Sequence, residues 1–150
     1  MPKPWKISQN CIDLVKKFEG LRLQSYQDTG GVWTIGWGHT AGVQPMQVIT
    51  ESQADAFLAY DLNQSSQFVN KCVLVDLTQN QFDALVDFDF NEGAGHLGTS
   101  TLLHLLNQCG YSAAAHQFSY WIYGYVNGKL GVIQDLVERR AAEQALFLKP

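Results

Sequence analysis

The stretch FEGLRLQSYQDTGGVWTIGWGHT, residues 18–40, decides the fold, because helical periodicity ends inside it and strand alternation takes over. Upstream, Ser8 is a good N-cap, and Cys11, Leu14, Val15 and Phe18 recur at the spacing of an amphipathic helix. Gly20 is its natural stop. From Leu21 the segment LRLQSY alternates, DTGG supplies turn residues, and VWTIGWGH alternates again. Val32, Thr34, Gly36 and Gly38 share one face of that second strand, and Trp33, Ile35, Trp37 and His39 the other. A small antiparallel hairpin follows. Its two glycines leave a bare face on which another chain or a ligand can approach the backbone.

Beyond Pro45 the sequence reads as helical to its end. Thr50 with Gln53 and Thr78 with Gln81 are capping boxes, each opening an apolar-periodic run. The second run stops at NEGAG, residues 91–95; a short helix through Leu102, Leu103 and Leu106 stops at Gly110. YGYVNGK, residues 123–129, reads as a loop, and Ile133, Leu136, Val137 and Arg140 begin a last helix. The expected plan is α+β in one domain over residues 1–150. A β-rich lobe occupies about 20–45 and a helical lobe about 50–150, with the helix from Thr50 as the bridge. Clefts form between such lobes.

Composition narrows the function. With 46% apolar and 16% charged residues, the chain of 150 residues has globular composition. The net charge is −4, and residues 72–128 carry five acids and no base, which argues against a nucleic-acid partner, whose phosphates need a basic stripe. No apolar run approaches the ~20 residues needed to span a bilayer, so no stable membrane insertion is expected. The segment MPKPWKISQN lacks the apolar core of a secretory signal. Cys11, Cys72 and Cys109 are widely spaced and read as reduced, mostly buried thiols. His96, His104 and His116 show no zinc-ligand spacing, and no metal site is expected.

Glycoside cleavage needs two carboxyl groups in different environments, one to give a proton to the leaving oxygen and one to stay ionised. Glu19 and Asp28 are candidates for that division. Glu19 falls in the last turn of its helix, where the partial negative charge of the carbonyls disfavours an anion, the direction a general acid requires. Asp28 lies on a polar turn where N–H groups and water support its charge. Thr34, on the following strand, carries a hydroxyl that can hold a water beside Asp28. Spacing alone leaves this reading open beside the plain one, in which a helix-end glutamate and a turn aspartate are solvated surface.

Glu19, Asp28 and Thr34 also stand at the spacing Glu, eight residues, Asp, five residues, Thr, and in this the segment resembles the active-site region of the phage-type lysozymes, the endolysins of glycoside hydrolase family 24. LTQNQFDALVDFDFNEGAGHLGTSTLLHLLN, residues 77–107, is similar to the family's central helices, and ERRAAEQALF, residues 138–147, to its C-terminal helix. The resemblance implies a two-lobed lysozyme-like fold with the active site in the cleft. It also implies hydrolysis of the β-1,4 bond between N-acetylmuramic acid and N-acetylglucosamine in peptidoglycan, without metal or organic cofactor. Glu19 is then the acid, Asp28 the group that positions or activates water, and Thr34 its helper. Inversion at the sugar carbon is implied as well, and this requires carboxyls roughly 6.5–9.5 Å apart.

By the same resemblance Arg140 closes over Glu19, Phe90 and Asn91 lie along the cleft wall, Thr101 is a cleft position, and His39 is structural. The plain readings beside these are a helix-surface cation, a helix end, an N-terminal helix residue and a packed histidine. Trp33, Trp37, Trp121 and Tyr123 read as core before they read as sugar platforms. A monomer waiting in the host cytoplasm for a holin-type pore is the expected cell biology. Two rivals make different demands: a lytic transglycosylase would use a single glutamate and have no need of Asp28 or Thr34, and an inactive peptidoglycan-binding protein would hold glycan without turnover. The segment GVIQDLVERR departs from relatives that read GL ahead of the double arginine, leaving the conformation of residues 124–136 open.

Overall fold

The computed structural model describes residues 2–150, and its elements follow the chain's local signals closely. Helix α1 spans Gln9–Glu19, capped by Ser8 and ended by Gly20 at φ 68°. Strands β1 (Arg22–Gln27) and β2 (Trp33–Gly36) pair antiparallel, with Tyr26 opposite Thr34 and a bulge between Arg22 and Tyr26. The segment after the hairpin returns along β1: the Ser25 N–H donates to the Gln47 carbonyl at 2.8 Å and the Ile49 N–H to the Leu23 carbonyl at 2.9 Å. Helix α2 (Glu51–Cys72) opens on the Thr50–Gln53 capping box, and α3 (Gln79–Glu92) on that of Thr78 and Gln81. Short helices α4 (Ala94–Gly98), α5 (Thr101–Asn107) and α6 (Tyr111–Gln117) lead through a 3₁₀ turn at Phe118–Tyr120. The last helix, α7, spans Gln134–Leu148.

Two hydrophobic cores divide these elements into lobes. Ile35, Val43, Ile49 and Ala54 form the small one, with Trp33, Trp37 and Phe57 packed against it. The large one gathers Cys11 and Val15 of α1, Phe82, Leu85 and Phe88 of α3, Leu102 and Leu106 of α5, Phe118 and Phe147. Helix α2 serves both, giving Ala54 to the first core and Leu58, Leu62 and Val69 to the second, so one rigid rod couples the lobes. His39 belongs to this coupling. Its Nδ1 lies 2.7 Å from Asp61 Oδ2 on α2, and its ring stacks on Phe57 with centroids 4.3 Å apart.

The structure corrects the expectation of a loop at residues 123–129. Strands β3 (Tyr123–Val126) and β4 (Lys129–Val132) form a second hairpin inside the helical lobe, with Val126 opposite Lys129. The two turn residues, Asn127 at φ 52° and Gly128 at φ 76°, adopt the left-handed conformation that tight hairpins need and that an Asn-Gly pair supplies. Cys109 is a smaller correction: the three cysteines are free, but this one is exposed. Among the described residues no helix is long and apolar enough to cross a membrane.

Candidate active site

Glu19 is the last residue of α1, and its position follows from the helix stop at Gly20. Its side chain is about 20% exposed, and Oε1 accepts a hydrogen bond of 2.8 Å from Arg139 Nη1. On the other side stands Gly38, at φ 81°, where a β-carbon would fall 2.5 Å from Glu19 Oε2. The bare strand face is therefore filled by the protein's own groups: Gly38 admits the Glu19 carboxylate, and Gly36 admits Ala54 of α2, which would lie 3.2 Å from an added β-carbon.

Asp28 closes the β1–β2 turn. Its Oδ1 accepts from the Gly30 N–H at 2.9 Å and the Val32 N–H at 2.8 Å, charge-assisted bonds that fix the carboxylate on the exposed turn. Thr34 sits on β2 with 5% exposure, and its hydroxyl donates to the Val32 carbonyl at 2.9 Å. With that proton committed, the hydroxyl oxygen keeps its lone pairs for a donor such as water. Opposite Thr34 stands Tyr26, a residue that sequence reasoning passed over. Burial pushes its phenol up, the Glu19 charge adds to that, Arg22 opposes and Asp28 adds again. The Arg22 guanidinium lies 4.2 Å from the ring centroid. The same tyrosine thus lies within electrostatic reach of both carboxylates.

The arginine over Glu19 is Arg139, not Arg140. Successive residues of a helix point about 100° apart, so one step in the ERR segment moves the guanidinium to a different face. Arg139 donates through Nε and Nη2 to Asp87 of α3 at 3.0 and 2.8 Å, which leaves Nη1 for Glu19. The Phe18 and Phe90 rings lie near its guanidinium, with centroids at 5.7 and 5.9 Å. Arg140 is fully buried and turned the other way, donating to Glu92 Oε1 and Asn91 Oδ1 at 2.6 Å and to Glu143 Oε1 at 2.8 Å. Asn91 is thereby a partner of Arg140, and Phe90 packs half-buried against the large core. Thr101 is the exposed first residue of α5, behind the cap Ser100.

Behind Arg139 lies a buried carboxyl pair. Burial alone would raise Asp87, but its hydrogen bond with Glu143 and the Arg139 charge hold it below the usual carboxylate range. Glu143, wholly buried, is pushed well above that range by desolvation and by its hydrogen bond with Asp87. Within the pair Asp87 therefore favours the anion and Glu143 the neutral acid. A cavity of about 580 Å³ lies elsewhere, between the N-terminal segment, α1 and α2, lined by Ile7, Ile12, Lys16, Asp55 and Leu58, and it includes none of Glu19, Asp28 or Thr34.

A β-hairpin lobe and a helical lobe joined by one long helix, with one carboxylate at a helix end and another on the hairpin turn, are the marks of the lysozyme class. The chain belongs to the phage lysozyme family, whose model matches residues 16–143. It is 45% identical to the endolysin of Acyrthosiphon pisum secondary endosymbiont phage 1, over 94% of this chain and 97% of that protein. The endolysin of Bacillus phage B103 is also 45% identical, but this chain spans only 54% of its length. Among solved structures, the muramidase domain of SpmX from Asticaccaulis excentricus superimposes with a TM-score of 0.90 at 43% identity, covering 97% of this chain and 99% of that one. The chain is a muramidase, an enzyme that hydrolyses bacterial peptidoglycan.

Proposed function

We propose that Glu19 is the proton donor, Asp28 the anion that positions and activates the attacking water, and Thr34 the hydroxyl that orients that water. Glu19 gives its proton to the glycosidic oxygen as the β-1,4 bond between N-acetylmuramic acid and N-acetylglucosamine breaks. Water adds to the sugar carbon from the opposite face, its proton passes to Asp28, and the configuration inverts. The observation that carries this reading is the contrast between the two carboxylates: Glu19 is enclosed by Gly38 and Arg139, and Asp28 is exposed on backbone N–H donors.

In the same reading Phe90 and Thr101 contact the glycan, and the amide NH₂ of Asn91 is available to it because Oδ1 is taken by Arg140. The whole of residues 1–150 acts as one catalytic domain and as a monomer. Its biological task is host lysis and phage release, with a holin-type pore giving access from the cytoplasm to the wall. The test is Glu19→Gln. That variant should fold as the parent does and fail to clear a peptidoglycan suspension; undiminished clearing would refute the assignment of the acid.

A further inference from the structure

We infer that Asp87 is a positioning residue for Glu19, acting through Arg139: it binds two guanidinium nitrogens and cancels their charge, so the third nitrogen orients the acid without drawing off its proton. The inference rests on Glu19 being the proton donor. An arginine against a general acid poses a conflict, because a nearby cation favours the carboxylate and so opposes proton donation. The geometry resolves it. Asp87 is fully buried and engages Arg139 in a two-point pair at 3.0 and 2.8 Å, whereas Glu19 receives a single bond at 2.8 Å.

Around this point each of the two arginines is met by a carboxylate other than Glu19. Helix α1 contributes Glu19 and the buried thiol of Cys11, which burial keeps neutral. Helix α3 contributes Asp87, Glu92 and, nearer the N-cap Ser8, Asp83; α7 contributes Arg139, Arg140 and Glu143. Tyr26 of β1 lies within electrostatic reach of Glu19, Arg22 and Asp28. Arg140 is met by Glu92, Asn91 and Glu143, and burial beside Asp87 pushes Glu143 toward its neutral form. That leaves Arg139 paired with Asp87 through two nitrogens, with one nitrogen turned to Glu19. Neither Asp87 nor Glu143 touches the space in front of Glu19, since both are wholly buried, so their action on the reaction passes through Arg139.

The experiment is the pH dependence of kcat/KM on soluble glycan strands for the wild type and, in a Glu143→Gln background so that the carboxyl 4.0 Å from Arg139 Nε cannot take the place of Asp87, for Asp87→Asn and the double variant Asp87→Asn/Arg139→Gln. In Asp87→Asn the Arg139 charge is uncompensated and favours the Glu19 anion. The alkaline limb, which reports the group that must be protonated, should move to lower pH by a unit or more. In the double variant both charges are gone, and the limb should return to its wild-type position. A purely structural role for Asp87 would lower the rate equally at every pH, and an unmoved limb in a folded Asp87→Asn protein overturns the inference. Should Asp87→Asn not fold, the double variant decides: a limb a unit or more above wild type shows that Asp87 was not cancelling Arg139. Failure here leaves the acid assignment standing, because that rests on Glu19→Gln alone.

Discussion

Gly38 stands against Glu19 so closely that a single added carbon would lie 2.5 Å from the carboxylate oxygen Oε2. The φ of 81° at this position is also one that L side chains rarely adopt. Gly38→Ala should therefore push the carboxylate out of place and strain the turn, the backbone part costing about 1–3 kcal/mol. A misplacement near 1 Å lowers rates by about 100-fold, so clearing should fall at least that far while circular dichroism stays native. Wild-type activity in a folded Gly38→Ala protein would mean that Glu19 is not held as described.

The two adjacent arginines should separate in their effects. Arg140 is fully buried among Glu92, Asn91 and Glu143. Removing one partner of such a cluster strands the others, at a cost of about 3–5 kcal/mol. Arg140→Met should thus lose stability in chemical denaturation and leave the pH–rate profile where it was. An Arg140 variant whose profile moves as that of an Arg139 variant does would return the contact with Glu19 to Arg140.

Asp89 gives the stability a pH dependence. It is buried on α3 with Oδ1 lacking a hydrogen-bond partner, and desolvation pushes it up to about 6, the hydrogen bond from Ser65 opposing. An unfolded aspartate titrates near ~3.9. The folded state thus favours the protonated acid, and the stability it contributes is complete below about 4 and lost as pH rises through about 6. Asp89→Asn should raise Tm at pH 7.5 and change it little at pH 4. Scanning calorimetry at the two pH values measures this, and equal shifts at both would remove the titration of Asp89 from the account.

Thr34 separates a hydroxyl's chemistry from its shape. Valine matches threonine in volume but cannot accept from water or donate to the Val32 carbonyl. Thr34→Val should lower clearing by about 100-fold, the low end for a group acting in acid–base catalysis, and Thr34→Ser should recover most of it. If serine and valine behave alike, Thr34 is a packing residue of β2.

What the sequence disclosed was what short-range signals encode. The Ser8 cap, the two capping boxes and the Gly20 stop located α1, α2 and α3, and alternation located the first hairpin. The second hairpin was legible in principle, because Asn127-Gly128 is a strong turn signal between alternating runs; Tyr123, Tyr125, Leu130 and Val132 share a face of it. It was missed because the family-like run of helices around it set the expectation. Arg139 was missed for want of helix phase, since ERR offers two arginines and only the packing of α7 on α1 and α3 selects one. Asp87 and Glu143 are 56 positions apart by their numbering. Nothing local marks either as buried, and only three helices meeting behind Glu19 make them a hydrogen-bonded pair.

The most direct test of the central claim, proton donation by Glu19 with water added at the sugar carbon, is digestion of purified peptidoglycan in H₂¹⁸O with mass spectrometry of the released muropeptides. The account requires one ¹⁸O at the reducing-end N-acetylmuramic acid of each new product, and no such product from Glu19→Gln. Products that lack the added water and carry a 1,6-anhydro ring would contradict it.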